Sequence, residues 1–175
     1  LDIIQNSIRA GAHNIRLEIV ESDQSDSLVI KIVDNGSGMD KETLAIVDDP
    51  YTTSRTTRKI GMGIPLLKYH AELTGGSLKI ASKKGKGTEV VAEFRKDHID
   101  RQPMGDICGV IKILLMAEKN IDFEYYHATD RGNYEFKSQD AKSILEIEDF
   151  SDFKLAKEIY NLLKENLLEI GAEIT

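Results

Sequence analysis

The spacing of apolar and polar positions divides the first half of the chain into alternating helices, strands and loops. Apolar residues recur at helical spacing over residues 2–11, and Gly11 is a typical residue for ending a helix. Period-two alternation predicts a half-buried strand over residues 15–19, and a more continuously apolar strand follows over 28–33. Further along, the pattern predicts a loop at 34–39, a short helix at 41–47, a polar stretch at 48–60, a helix at 64–74 and a hairpin of strands 77–82 and 88–94.

The pattern restarts after Asp97. We predict a helix over about residues 105–119 and a strand over 121–127. A turn at 130–133, a second strand at 134–137 and two helices reaching residue 171 follow. The last helix carries a wide apolar stripe, which we expect to pack within residues 98–175 or against a second copy. The second half therefore resembles a small α/β appendix.

Charge divides the chain at the same place. Residues 1–97 hold 14 basic and 14 acidic side chains, whereas residues 98–175 hold 9 basic and 16 acidic ones, so the net charge of -7 belongs to the second half. We predict a first domain over 1–97 that folds and binds its ligand alone, and an acidic extension over 98–175. The acidic balance argues against sequence-independent binding of nucleic acid. No apolar run reaches the length of a membrane span, so we predict a cytoplasmic protein without membrane contact.

Three short motifs could carry chemistry. Asp2 and Asn6 lie one helical turn apart on one face, where a carboxylate and an amide oxygen can hold a hydrated Mg²⁺ and orient a water molecule. Asp34 ends an apolar strand and opens a glycine-containing loop, so its carboxylate can accept from the exocyclic amine of adenine. Residues 61–63, Gly-Met-Gly, precede a helix, which suits phosphate binding. Taken singly, each motif has a plainer explanation as a solvated helix face, a tight turn or a polar loop.

The order and spacing of the three motifs favour the chemical interpretation over these plainer ones. Four segments follow one another along the chain: a helix with D-x-x-x-N, then DNGSGM, then YTTSRTTRKIGMGIPLLK, then LTGGSLKIASKKGKGTEVVAEF. Their order resembles the asparagine and glycine boxes of the GHKL ATPases, the superfamily of histidine kinases, gyrase, chaperone ATPases and mismatch-repair ATPases. The resemblance covers about 95 residues and is strongest with histidine kinases, then with anti-sigma-factor serine kinases. It implies an α/β fold, a two-layer sandwich in which helices cover a mixed sheet, and it implies ATP and Mg²⁺ as cofactors.

The resemblance also assigns roles to individual residues. Asn6 matches the magnesium-binding asparagine, Asp34 the adenine-reading aspartate, and Thr88 the threonine that supports the adenine site through water. Residues 48–60 match the ATP lid. The remaining nucleotide-binding positions that fall within the matched boxes are Gly36, Gly38, Met39, Arg58, Lys59, Gly61, Met62, Gly63 and Ile64.

Two departures from the family pattern affect the expected chemistry. Asp2 stands where many relatives have Glu as the base that activates water, and its side chain is one methylene shorter, so ATP binding is better supported than hydrolysis. No phospho-acceptor helix precedes the matched boxes in this sequence, which already opens inside a helix at Leu1, so we expect further residues upstream. His98 lies in a stretch that loosely resembles a histidine box, but a proline-containing linker explains that stretch more simply.

We therefore expect an ATP-binding signalling protein that resembles histidine kinases and phosphorylates or conformationally controls a protein partner. The first alternative is an ATP-switched binding module without phosphotransfer, similar to anti-sigma factors. The second is a GHKL-type ATP hydrolase, which the short acidic second half disfavours. The sequence pattern does not decide between a monomer and a homodimer.

Overall fold

The structure is a computed structural model that describes residues 1–48 and 63–174. Its first-half elements are α1 (Asp2–Arg9), β1 (Asn14–Ser22), β2 (Ser27–Asp34), α2 (Lys41–Asp48), α3 (Gly63–Leu73), β3 (Ser77–Lys83) and β4 (Gly87–Arg95). Its second-half elements are α4 (Ile107–Ala117), β5 (Asp122–Thr129), β6 (Gly132–Lys137), α5 (Ser138–Leu145) and α6 (Phe153–Glu169). Every predicted helix and strand within the described residues is confirmed, although β1 runs three residues beyond its predicted end.

All six strands form one mixed sheet in the order β3-β4-β2-β1-β5-β6. The pairs β3-β4, β4-β2, β2-β1 and β5-β6 are antiparallel, and β1 pairs with β5 in parallel. A parallel pair needs a long crossover connection, and here the chain from β2 through α4 supplies it. The two halves of the sequence therefore meet edge to edge within the sheet.

The two faces of the sheet differ in chemistry because side chains alternate along each strand. On one face Ile15, Leu17 and Ile19 of β1 are at most 3% exposed and lie under the helices. On the other face Arg16 forms ion pairs with Glu124 and Glu135 of the neighbouring strands, across the junction of the two halves. Helices cover one face and charged side chains cover the other, which confirms the predicted two-layer α/β sandwich with a mixed sheet.

A single hydrophobic core extends through both halves. It includes Ile4 and Ile15 from the first half and Ile111, Phe123 and Leu163 from the second. The apolar stripe of α6 packs mainly against α4, so it is buried within the second half, as predicted. The α4 helix in turn lies beside residues of α1 and β1 from the first half. The division at residue 97 therefore does not coincide with a gap in the core, and this bears directly on the expectation that residues 1–97 fold alone.

No helix among residues 1–48 and 63–174 is long and apolar enough to cross a membrane. Cys108 is 2% exposed in α4, and burial followed by the nearby Asp106 carboxylate raises the pKa of its thiol to about 11. The thiol is therefore a packing group rather than a nucleophile at neutral pH.

Candidate functional site

A cavity of about 250 Å³ opens between α1, the sheet and the loop that follows β2. It is lined by Thr88 and Val90 of β4, by residues of α1, by Val47 of α2 and by Ile64 of α3. Among residues 1–48 and 63–174, the lining residues are Ile3, Asn6, Ser7, Arg9, Ala10, Asp34, Ser37, Gly38, Met39, Val47, Ile64, Thr88 and Val90. The cavity thus combines apolar walls with a few polar groups, which is the usual composition of a small-molecule site.

The polar centre of the cavity is the carboxylate of Asp34. Asp34 is the last residue of β2 and lies opposite Thr88 in the register with β4, so its side chain points to the helix-covered face. Its Oδ2 accepts a hydrogen bond from the Ser7 hydroxyl at 2.7 Å, and its Oδ1 accepts from the Gly36 N–H at 2.9 Å. These two donors hold the carboxylate in a fixed orientation and leave lone pairs on both oxygens for a ligand.

The loop after β2 is tied down on both sides. The Oδ1 atom of Asn35 accepts from the backbone N–H groups of His13 and Asn14, and the N–H of Ser37 donates to the Ala10 carbonyl at 2.8 Å. Gly38 has φ +62°, and a Cβ at that position would overlap the Lys83 carbonyl oxygen. Only glycine therefore fits this close approach of the loop to the β3-β4 hairpin.

The β3-β4 hairpin contributes a hydroxyl pair to the same loop. The hydroxyls of Ser82 and Thr88 lie 2.9 Å apart, and the Met39 N–H donates to the Ser82 oxygen at 2.8 Å. Ser82 also donates to the Gly87 carbonyl at 3.0 Å. Thr88 is thereby linked to the backbone that follows Gly38, and both lie at the cavity.

Gly63 begins α3 and lies beside the start of α1. A Cβ at Gly63 would come within 2.7 Å of the Asp2 Cβ, so the two backbones pass at close range. The amino-terminal end of α3 and the Asp2 side chain are therefore neighbours. Free backbone N–H groups at such a helix start favour an anion.

The structure brings six of the predicted site residues together as lining of one cavity. They are Asn6, Asp34, Gly38, Met39, Ile64 and Thr88. Gly36 packs behind Asp34 against Ala10, and Asp2 and Gly63 adjoin one another without lining the cavity. Arg58, Lys59, Gly61 and Met62, with most of the predicted lid at 48–60, lie outside the described residues. The individual roles of all these residues stay predictions.

Sequence reasoning missed several lining residues, and Ser7 is the most important of them because it orients Asp34. The signal was present in α1: Ile3, Ser7 and Ala10 recur at the spacing of one helix face, and all three line the cavity. Ser82 had a weaker signal, since only the hairpin register places it opposite Thr88. His98 lies away from the cavity, and its Nδ1 accepts from the Asp100 N–H at 3.2 Å.

Comparison with known proteins gives a consistent result for the first half of the chain. The chain is 28% identical over 95 residues to the autoinducer 2 sensor kinase/phosphatase LuxQ of Vibrio cholerae, a match covering 50% of this chain and 11% of that protein. It is 36% identical over 88 residues to the sensor protein kinase FleS of Pseudomonas aeruginosa, covering 50% of this chain and 22% of that protein. The chain thus matches less than a quarter of the length of either relative.

Among solved structures, the ADP complex of the Aquifex aeolicus MutL ATPase domain is similar with a TM-score of 0.48 and 13% identity, over 83% of this chain and 66% of that one. The sequence profile of the family described as histidine kinase-, DNA gyrase B-, and HSP90-like ATPase matches residues 1–98, which is more than half of the chain. With the cavity built around Asp34 at the end of β2, this match shows that the chain belongs to the histidine kinase-, DNA gyrase B-, and HSP90-like ATPase family.

Proposed function

We propose that this chain binds magnesium-ATP and, in the manner of a histidine kinase, phosphorylates or conformationally controls a protein partner. The observation that carries the proposal is the position of Asp34, whose two oxygens are oriented by Ser7 and Gly36 inside a cavity with apolar walls. A carboxylate held in this way accepts a hydrogen bond from the exocyclic amine of adenine, while Val90 and Ile64 contact the flat faces of the base.

The phosphates of ATP would extend from the adenine toward the start of α3. Gly63 begins that helix, so its amino-terminal end offers backbone N–H groups and a favourable helix dipole to an anion. Arg9 also lines the cavity, and its guanidinium, which donates to Asn6 Oδ1 at 3.5 Å, supplies a positive charge on the α1 side. Adenine would thus lie in the cavity, and the phosphates would extend beyond it toward the start of α3.

The donor set of the chain suits magnesium bound through ATP. Asn6 lines the cavity with an amide oxygen, and no group of three or more His, Cys, Asp or Glu side chains forms a metal cluster among residues 1–48 and 63–174. Mg²⁺ commonly takes one or two protein oxygens and completes its six ligands with phosphate oxygens and water. We therefore assign Asn6 as the protein ligand, and Mg²⁺ would neutralise phosphate charge there.

A second candidate is an ATP-switched binding module that transfers no phosphate. The short side chain of Asp2 supports it, because a carboxylate beside Gly63 that is one methylene shorter than Glu is less able to reach an attacking water. Incubation with γ-labelled ATP and a candidate partner separates the two, since a kinase yields labelled protein and the switched module yields neither labelled protein nor free phosphate. Release of free phosphate alone would indicate a hydrolase instead.

Calorimetric titration with ATP tests the adenine assignment. Asp34→Asn replaces one acceptor oxygen with a donor that faces the amine of the base, and losing a charge-assisted buried hydrogen bond costs about 1.5–3 kcal/mol. ATP affinity should therefore fall about ten- to a hundredfold, and the preference for ATP over GTP should weaken. Glu89→Gln on the solvent face of the sheet is the matched control. Unchanged ATP affinity in Asp34→Asn would overturn the assignment.

The same titrations separate metal binding from base recognition. Asn6→Ala should weaken ATP binding mainly when Mg²⁺ is present, because the lost group is a metal ligand and not a base contact. Asp2→Asn should leave affinity nearly unchanged and lower any turnover. An Asn6→Ala variant with the same loss of affinity in EDTA as in Mg²⁺ would remove Asn6 from the metal site.

A further inference from the structure

A second groove lies at the far end of the sheet from the nucleotide cavity. It has a volume of about 280 Å³ and runs between α5, α6 and the terminal strand β6. Phe136 of β6 is buried and lines it, and none of the described residues lines both this groove and the nucleotide cavity. The groove is therefore a separate surface, and what it binds does not depend on the proposed function.

The walls of the groove are exposed aliphatic side chains. Ile144 is 79% exposed, Leu162 is 49% exposed and Leu145 is 45% exposed, and all three line the groove. Single exposed apolar residues are normal, but several large ones converging on one concave surface are typical of an interaction site. The groove is large enough for two or three apolar side chains of a partner.

The rim of the groove is acidic. Asp140 lines it from α5, and on α6 the exposed Glu158 and Glu165 lie four and three residues from Leu162, on the same helix face. Neither these two glutamates nor Asp140 forms an ion pair with any residue in the ranges 1–48 and 63–174. Their charges are available to a partner.

Two lysines near the groove contact groups outside its lining: the Lys142 ammonium donates to the Lys119 carbonyl and lies over the Phe150 ring, and Lys164 lies over the Tyr160 ring. Lys137 lines the groove, but it pairs at 3.3 Å with Glu135, which lines the groove too, so these two charges offset each other. The potential at the groove is consequently negative, which favours a cationic occupant.

We propose that this groove binds a cationic amphipathic segment of a partner protein, whose apolar side chains contact Ile144 and Leu162 while its Lys or Arg residues pair with Asp140, Glu158 and Glu165. A second copy of the chain fits less well, because a two-fold contact of the groove with itself would bring carboxylates against carboxylates. An anionic membrane surface or a nucleic acid would be repelled by the same rim.

The test uses the full chain and a labelled probe peptide. The probe is a helical peptide of about 14 residues, with Leu at i, i+3, i+4 and i+7 and Lys elsewhere, and the comparison peptide has Glu in place of Lys. Fluorescence anisotropy should show saturable binding of the Leu/Lys peptide that weakens as salt is raised, with no binding of the Leu/Glu peptide. Failure of the Leu/Lys peptide to bind, or equal binding of both peptides, would overturn the proposal.

Paired variants place the binding at the groove. Ile144→Ser removes an apolar contact and Glu165→Gln removes a charge, so each should weaken binding of the Leu/Lys peptide at least about fivefold. A fivefold loss of affinity corresponds to about 1 kcal/mol. The controls are Ile113→Ser, which removes an exposed isoleucine of α4 that does not line the groove, and Glu72→Gln on α3. Both controls should bind as the unmodified chain does. Equal losses in variants and controls would show non-specific attraction and overturn the proposal.

Two further measurements test the other occupants. In sedimentation, the unmodified chain should not form a dimer that is lost in Ile144→Ser. Vesicles of phosphatidylglycerol and phosphatidylcholine should likewise not bind the chain through the groove. A dimer or a vesicle complex lost in Ile144→Ser would assign the groove to that occupant and overturn the proposal. All variants replace exposed residues, so thermal unfolding should confirm that each is folded as the unmodified chain is.

Discussion

The Nε2 atom of His127 lies 2.7 Å from Oε1 of Glu21, and both side chains are almost completely buried at the junction of β1 and β5. The Nδ1 atom of His127 lies 2.6 Å from the hydroxyl of Tyr125, and burial raises the pKa of that phenol, so the phenol stays protonated. The two ring nitrogens of His127 thus lie within hydrogen-bond distance of the Tyr125 hydroxyl and the Glu21 carboxylate. The network joins the first half of the chain to the second.

Glu21 remains ionised in this network. Burial by itself would raise its pKa, but the hydrogen bonds from His127 and from the Glu173 N–H, together with Lys96, outweigh burial and lower the pKa from 4.5 to about 2. The Lys96 ammonium lies 3.0 Å from Oε2, and because this oxygen has no aligned hydrogen bond among the described residues, we treat the contact as an ion pair. The buried carboxylate is thus paired with Lys96 of the first half and held by His127 and the Glu173 N–H of the second.

The first prediction concerns stability and its dependence on pH. A carboxylate whose pKa is lowered on folding stabilises the fold above the unfolded pKa, and that contribution is lost as pH falls through the window from 4.5 to about 2. Glu21→Gln should lower the free energy of unfolding at pH 7 by on the order of 3 kcal/mol and flatten the acid side of the stability curve. Urea unfolding at several pH values measures both effects.

The matched control for Glu21 is on the other face of the sheet. Glu89 pairs with Lys31 at 2.9 Å but is 41% exposed, so Glu89→Gln should change the free energy of unfolding by less than about 1 kcal/mol. Equal effects of the two substitutions would mean that the buried network contributes no more than a surface ion pair.

The buried pair of Glu21 and His127 could not be predicted from the sequence. Glu21 has the same inward phase as Ile15, Leu17 and Ile19, but the predicted strand ended at Ile19, where the alternation of apolar and polar residues ends. Its partner His127 is 106 residues away, across the parallel pair of β1 and β5. Local periodicity carries no information about a pairing at that distance.

The candidate site was more predictable than the network because its signals are local. Asp34 follows an apolar strand and precedes two glycines, and both the strand end and the tight loop can be read from neighbouring residues. The role of Ser7 depends on how the α1 helix packs over β2, so only the structure reveals it. The extension is a similar case, because its helices and strands were predicted from local patterns. The pairing of its strands with β1 in one sheet depends on distant residues and was not predicted.

The second prediction concerns the extension, and the shared core leads us to reverse the expectation that residues 1–97 fold alone. Removing residues 98–175 would take away Leu114 and Phe123, which lie around Ile15, and would leave the outer edge of β1 unpaired. Full burial of an aliphatic side chain such as Ile15 contributes about 1.5–3 kcal/mol. The fragment should lack a cooperative unfolding transition and should not bind ATP. Circular dichroism and calorimetry, with the full chain as reference, measure this. A folded fragment that binds ATP would establish the extension as a separable domain.

The third prediction separates backbone conformation from steric overlap at the cavity loop. Gly38 and Gly85 both have positive φ, at +62° and +74°, so an alanine at either position incurs a conformational cost of about 1–2 kcal/mol. They differ in space, since a Cβ at Gly38 overlaps the Lys83 carbonyl oxygen, whereas a Cβ at Gly85 has no neighbour within 4 Å among the described residues. Gly38→Ala should therefore move the loop as well as strain it.

Because Gly38 and Met39 both line the cavity, we expect Gly38→Ala to weaken ATP binding at least about tenfold and to lower the free energy of unfolding further than Gly85→Ala does. Gly85→Ala should lower stability by its conformational cost alone and leave ATP affinity close to that of the unmodified chain. Calorimetric titration and urea unfolding of the two variants give both quantities. If the two variants lose ATP affinity equally, the close approach of the loop to Lys83 does not shape the nucleotide site.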